Sequence, residues 1–132
     1  MEEDFRARLL ASAPLQAKVA GRIDWGLRPK GASLPAVTLT LVSAVPDYTY
    51  AGQVRLRSSR VQTDSWGATA AAAITTARLL AAVLEAPAVQ GATRFGASFV
   101  AMETDGGVEE DADNIPIFRR IIDFTVWHAP AA

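Results

Sequence analysis

The stretch VQTDSWGATAAAAITTARLLAAVLEAP, Val61 to Pro87, limits the possible folds more than any other part of the chain. It opens as a polar strand and within about three residues becomes a helix rich in alanine, the best helix former. Ile74, Leu80 and Leu84, with Ala70, Ala73, Ala77 and Ala81, recur at three- and four-residue spacing. That spacing predicts a helix over Gly67–Ala86, stopped by Pro87. Small side chains let a helix approach a sheet or a second helix closely. Close packing inside one subunit is the plain reading of the alanines; contact with a neighbouring subunit is the alternative.

The rest of the chain alternates. Glu2–Ala13 predicts an amphipathic helix with Phe5, Leu9 and Leu10 on its apolar stripe and acids at its N-terminal end. Pro14 either ends it or opens a short turn through Leu15 and Val19, and Gly21 stops that turn. Arg22–Trp25 is a short strand candidate, and Gly26–Leu34 a loop. Pro35–Val45 is the clearest strand, with Val37, Leu39, Leu41 and Val45 on one face and Thr38 and Thr40 on the other. Val54–Trp66 is a second, whose alternation changes phase near Ser58–Ser59, as a bulge there would explain. Thr93–Met102 is a third, with Phe95 and Phe99 on one face. Thr104–Pro116 is acidic and glycine-bearing and predicts an exposed loop. Phe118–His128 is the last strand, and the APAA tail should fray. This order predicts an α+β domain: a mainly antiparallel sheet of four to five strands with two helices on one face.

Composition narrows the function. A chain of 132 residues suits a single domain spanning 1–132. Half of it is hydrophobic and 20% charged, a globular balance, and no apolar run approaches the ~20 residues of a membrane span. The acidic, amphipathic N-terminus is unlike a secretory signal. Without cysteine there is no thiolate nucleophile, disulfide or thiolate-held metal. Net charge is −1, which disfavours tight binding to DNA or RNA.

Candidate chemistry is sparse. The single histidine, His128, ends the last strand beside Trp127 with no recognisable nucleophile or acid partner in sequence, and reads as a surface residue. Asp105, Glu109, Glu110, Asp111, Asp113 and Asn114 could offer oxygen ligands to calcium. They miss the spacing of a helix–loop–helix calcium site and read as a solvated hairpin tip. Arg55, Arg57 and Arg60, near Tyr48 and Tyr50, could hold nucleic acid or pair with an acidic loop of a neighbour. Near-neutral charge favours the second. Arg55 and Arg57 share one face, which Arg60 joins if the bulge is present. In a small-molecule-binding or enzymatic reading, Trp25, Trp66 and Tyr48 would line a pocket, although Trp66 suits a sheet–helix junction better. No glycine pattern matches a phosphate-binding loop. No catalytic, metal or cofactor site is expected.

The order and spacing of several segments resemble a known family. EEDFRARLLASAP at the N-terminus is followed by GRIDWG at 21–26, then LPAVTLTLVSAVPDYTYAG at 34–52. VQTDSWGAT at 61–69 leads into the alanine helix, and IIDFTVWH at 121–128 closes the pattern. Together they resemble the tail-completion, or tail-terminator, proteins of long-tailed bacteriophages and gene transfer agents. The resemblance implies a structural virion protein, assembled in the bacterial cytoplasm. It would cap the head-proximal end of a tail tube as a ring of six and meet the head connector or stopper, while DNA passes through without tight binding. It implies no catalytic residues, no cofactor and no membrane partner. The partner interface expected from the exposed segments comprises Asp47, Tyr48, Tyr50, Arg55, Arg57, Glu109, Glu110, Asp111 and Asp113. Opposite charges on separate loops suit a heterologous contact between ring neighbours.

Overall fold

The computed structural model describes residues 1–29, 33–111 and 113–131. The centre of the expected Gly26–Leu34 loop, Ala112 in the acidic run and Ala132 of the tail lie outside the described residues. The N-terminal segment forms two helices, α1 (Glu2–Leu10) and α2 (Ala13–Val19), where one was expected with at most a turn after it. Ser12 separates them: its Oγ caps α2 by accepting the Leu15 N–H. Pro14 falls in the first turn of α2, where a missing N–H costs nothing. The alanine helix, α3 (Ala70–Glu85), is capped by Thr69, whose Oγ1 accepts the Ala72 N–H at 3.1 Å.

The strands are β1 (Ile23–Trp25), β2 (Ala36–Val45), β3 (Tyr48–Thr49), β4 (Gly52–Gln53), β5 (Arg57–Gly67), β6 (Ala88–Gln90), β7 (Thr93–Phe95), β8 (Phe99–Glu110) and β9 (Pro116–Pro130). Seven of them form one sheet in the order β1-β2-β5-β9-β7-β6, with β8 also on β9; β3 and β4 form a separate small hairpin. The four or five strands expected become seven because the short segments β1, β6 and β7 also pair. The sheet is mixed, since β1 runs parallel to β2, although every other pairing is antiparallel. β5 occupies one side of β9, so β7 and β8 follow one another along its other side.

All three helices pack over one face of the sheet. Phe5, Leu9, Leu15, Val19, Ile23, Leu80 and Leu84 from that layer are buried against Val37, Leu39, Val61, Ile122, Phe124 and Val126. Gly67 explains why α3 must start with small residues. A methyl at this position would sit 2.6 Å from the Ala73 backbone nitrogen, so strand and helix touch backbone to backbone at their junction. Arg8, unnoticed in the sequence, is buried in the same layer. Its guanidinium donates to the carbonyls of Val83 and Ala86 at the C-terminus of α3 and lies 5.4 Å over the Phe95 ring. A cation placed on the free carbonyls of a helix end satisfies both their hydrogen bonds and the helix dipole.

Three strand expectations change. β5 pairs with β9 from Arg57 to Gly67 without a slip, so the expected bulge is not at Ser58–Ser59. It lies on β2, between Leu41 and Ser43. The expected third strand is broken after Phe95. The Gly96 N–H goes to the Trp127 carbonyl and the Ser98 N–H to the Leu84 carbonyl. Phe95 then pairs with His128 but Phe99 with Thr125, four residues against three. That odd count sends Phe99 to the face away from the helices: Phe95 is 1% exposed and Phe99 59%. The acidic segment is exposed as expected, yet most of it is strand. β8 runs to Glu110, with a second slip between Asp105 and Val108 where Gly107 adopts a φ of 82°. Nor is all of the tail loose, because Pro130 ends β9 and the Ala131 N–H bonds to Ala92.

Candidate assembly surfaces

The expected interface residues fall at two opposite ends of the sheet. Arg57 pairs with His128 and Gly67 with Phe118, so the β2–β5 connection and the β8–β9 turn lie toward opposite ends of β9. From Phe118 to His128 at about 3.3 Å per residue, the two ends are roughly 33 Å apart. At one end stand Asp47, Tyr48 and Tyr50, all exposed, on and beside the small β3–β4 hairpin, with the Asp47 carbonyl accepting the Val54 N–H. At the other is the acidic turn. Here Asp111 acts on its own loop: its Oδ1 accepts the N–H groups of Asp113 and Ile115, both at 2.9 Å. Glu110 and Asp113 remain as exposed carboxylates at this end.

The three arginines separate. Arg57 and Arg60 are an odd number of residues apart on an unslipped strand, so they lie on opposite faces, contrary to the grouping expected from a bulge. Arg60 pairs with Asp123 at 3.9 Å on the face away from the helices. Arg55 and Arg57 line a hollow of about 200 Å³ with Met1, Thr93 and His128. His128 is buried here, not displayed, and its Nε2 lies 2.8 Å from Ser59 Oγ. Burial, then the positive charges of Arg57 and the N-terminus, push its imidazole below the usual histidine range, while Glu2 opposes them.

Glu109 stands on the face away from the helices, not at the turn. It borders a cavity of about 320 Å³ with Arg28, Thr38, Asp64, Trp66 and Arg119. Trp66 is covered by two cations, the Arg28 and Arg119 guanidinium carbons at 5.1 and 5.0 Å from its ring, and its Nε1–H donates to Thr38 Oγ1. It is therefore buried on the outer face, not at the helix junction. Asp64, beside it, accepts from Gln62 at 3.0 Å and faces Arg119 at 3.8 Å. Burial holds its carboxyl above the usual range, against the pull of Gln62 and Arg119 and with help from Asp123 and Glu109. Trp25 packs on Phe5 in the core and Tyr48 sits on the exposed hairpin, so the three aromatic residues do not share a pocket. Among the described residues no group of three or more His, Cys, Asp or Glu side chains could hold a metal, and no helix is long and apolar enough to cross a membrane.

The fold is a mixed sheet with one helical layer, exposed polar segments at both ends and open strand edges on β2 and β8. The family model of tail completion protein gp17 matches residues 3–129, and the chain belongs to that family. It is a structural protein of a phage-type tail. Among solved structures, a chain in the virion of a native gene transfer agent particle has the same fold. Its TM-score is 0.70 at 14% identity, over 98% of this chain and 95% of that one. No curated protein matches.

Proposed function

We propose that the chain closes the head-proximal end of a tail tube as a ring of six and joins the tube to the head connector or stopper. DNA passes through the ring without tight binding. The observation that carries this is the placement of two chemically different segments at opposite ends of the sheet that β9 spans: Asp47, Tyr48 and Tyr50 in the β2–β5 connection, Glu110 and Asp113 at the β8–β9 turn. A ring whose strands run along the tail axis presents one end to the tube and the other to the connector. Membership in the tail completion family and the shared fold of a chain from a gene transfer agent virion support it. A net charge of −1 suits a passage that does not grip phosphate. The charged ends then serve two axial partners and not adjacent copies.

Complementation of particles lacking the protein tests this. Glu110→Lys with Asp113→Lys should leave circular dichroism and thermal unfolding unchanged, since exposed charges contribute only ~0–1 kcal/mol each. Head-joined tails should fall at least tenfold. Tyr48→Ala with Tyr50→Ala should impair the other junction. Normal tail length and head joining from both variants would refute the assignment of these ends.

A further inference from the structure

The two flanks of the central sheet are uncovered over stretches that match one another. On β2, the paired neighbour β1 covers only Val37 to Leu39, and Thr40 to Val45 are exposed in succession. On β8, every residue from Phe99 to Asp105 is exposed, and among the described residues no strand pairs with its outer side. Folded proteins blunt such edges with lysine, proline or short length. Neither TLVSAV at 40–45 nor FVAM at 99–102 carries a charge or a proline, and Leu41, Val42, Val45, Phe99, Val100 and Met102 are all substantially exposed.

The ladder shows that the two stretches lie at the same height. Thr40, Gln62, Asp123 and Met102 form one row across β2, β5, β9 and β8. Leu41, Val61, Phe124 and Val100 form the next, and Ser43, Arg60, Thr125 and Phe99 the third. β8 carries its bulge between the first and second rows, at Val100/Met102, and β2 between the second and third, at Leu41/Ser43, so each edge spends one extra residue over the same three rows. Above them the flanks differ together. Glu103 and Asp105 of β8 stand level with Leu39 and Val37, where β1 already occupies the edge of β2. The uncharged part of one flank is thus level with the open part of the other, and the charged part with the closed part.

The strand directions also fit. Two strands, β5 and β9, separate the flanks, and the three successive pairings are antiparallel, so β2 and β8 run oppositely. Rotation about an axis parallel to the strands brings β8 of one copy antiparallel to β2 of the next. We infer that copies of this chain join edge to edge, Phe99–Met102 of β8 against Thr40–Ser43 of β2 in the next copy, so that the sheet continues between subunits. The occupant is a second copy because the chain carries both halves of the contact, level and of opposite direction, as a closed ring of heterologous contacts requires. This inference rests on the ring proposed above and specifies its lateral contact.

Cysteine pairing tests it, and the chain has no native cysteine to interfere. The pairs Thr40→Cys with Met102→Cys and Ser43→Cys with Phe99→Cys bring Cα atoms of adjacent copies to about 5.5 Å, within disulfide reach. Both are oxidised in concentrated purified protein and in complemented particles. Each double variant should give a covalent ladder ending at the ring size. The single variants, and the offset pair Thr40→Cys with Val108→Cys, should give none. Val100→Lys, which charges the edge without entering the core, should weaken self-association at least tenfold with circular dichroism unchanged. A ladder from the offset pair alone, a dimer from Met102→Cys alone, or no ladder in either sample would overturn the contact. If purified protein forms the ladder but the chain is absent from particles, the tail-end assignment fails and the edge contact stands.

Discussion

His128 shows how a residue can look peripheral in sequence and be internal in the fold. It lies near the chain end, yet β9 carries it under the first helix end, against Ser59 and Arg57. Burial and positive neighbours lower its folded pKa from 6.5, while in the unfolded chain it keeps the ordinary value. The unfolded state therefore binds more protons over the interval just below 6.5. The stability this neutral imidazole contributes is complete above that value and is lost as pH falls through the lowered folded pKa. Denaturant midpoints measured from about pH 8 to pH 5 should fall on acidification in the native protein and less steeply in His128→Gln. An unchanged slope in the variant would locate the acid sensitivity elsewhere. Asp64 acts with the opposite sign. Its raised carboxyl pKa contributes stability that is present below the ordinary carboxylate value and is lost as pH rises through the raised folded value.

At the scale of elements, the junction between β5 and α3 is the most demanding point in the chain. Gly67→Ala should destabilise by about 2 kcal/mol, the usual penalty of forcing an atom into a packed site. Chemical denaturation would measure it; a change within error would mean that helix and strand can part without loss. Ser65, one turn of alternation away, should accept alanine more easily. The same junction is legible in sequence, because the alanine spacing and Pro87 are local signals, as are Val37 and Leu39 on β2, whereas the start at Ala70 and its Thr69 cap come from the fold. The parts that were not legible depend on distant partners. The break at Gly96–Ser98 is made by carbonyls of Trp127 and Leu84. The DGG motif at 105–107 carries the letters of a turn but is absorbed as a bulge, because Phe118 and Arg120 across the ladder keep the strand paired. Arg120 also holds Asp105 and Glu103 at 2.9 Å each, so Asp105 is not a free carboxylate of a solvated tip.

For the whole molecule, the sequence indicated which residues are exposed but not how they are distributed. Tyr48, Tyr50, Glu110 and Asp113 follow from polarity and loop signals; the fold alone shows that Asp111 caps its own loop and that Arg57 and Glu109 line hollows away from the two tips. Strand order decides that the two ends are far apart, and no local pattern encodes strand order. Because the acidic turn hangs from the β8–β9 ladder, its distance from the hairpin end behaves like a graduated ruler. Adding or removing one rung changes length by about 3.3 Å and turns the tip through half a revolution, whereas two rungs change length alone. Excising Glu110 with Pro116, one rung, should therefore abolish head joining by presenting the wrong side of the turn. Excising Glu109 and Glu110 with Pro116 and Ile117, two rungs, should retain part of it. Electron-microscope counts of joined particles would decide, and better joining by the one-rung form would discard the idea. A tail junction measured this way can lengthen or shorten only in even steps, so related chains that serve wider or narrower gaps should differ by whole pairs of rungs.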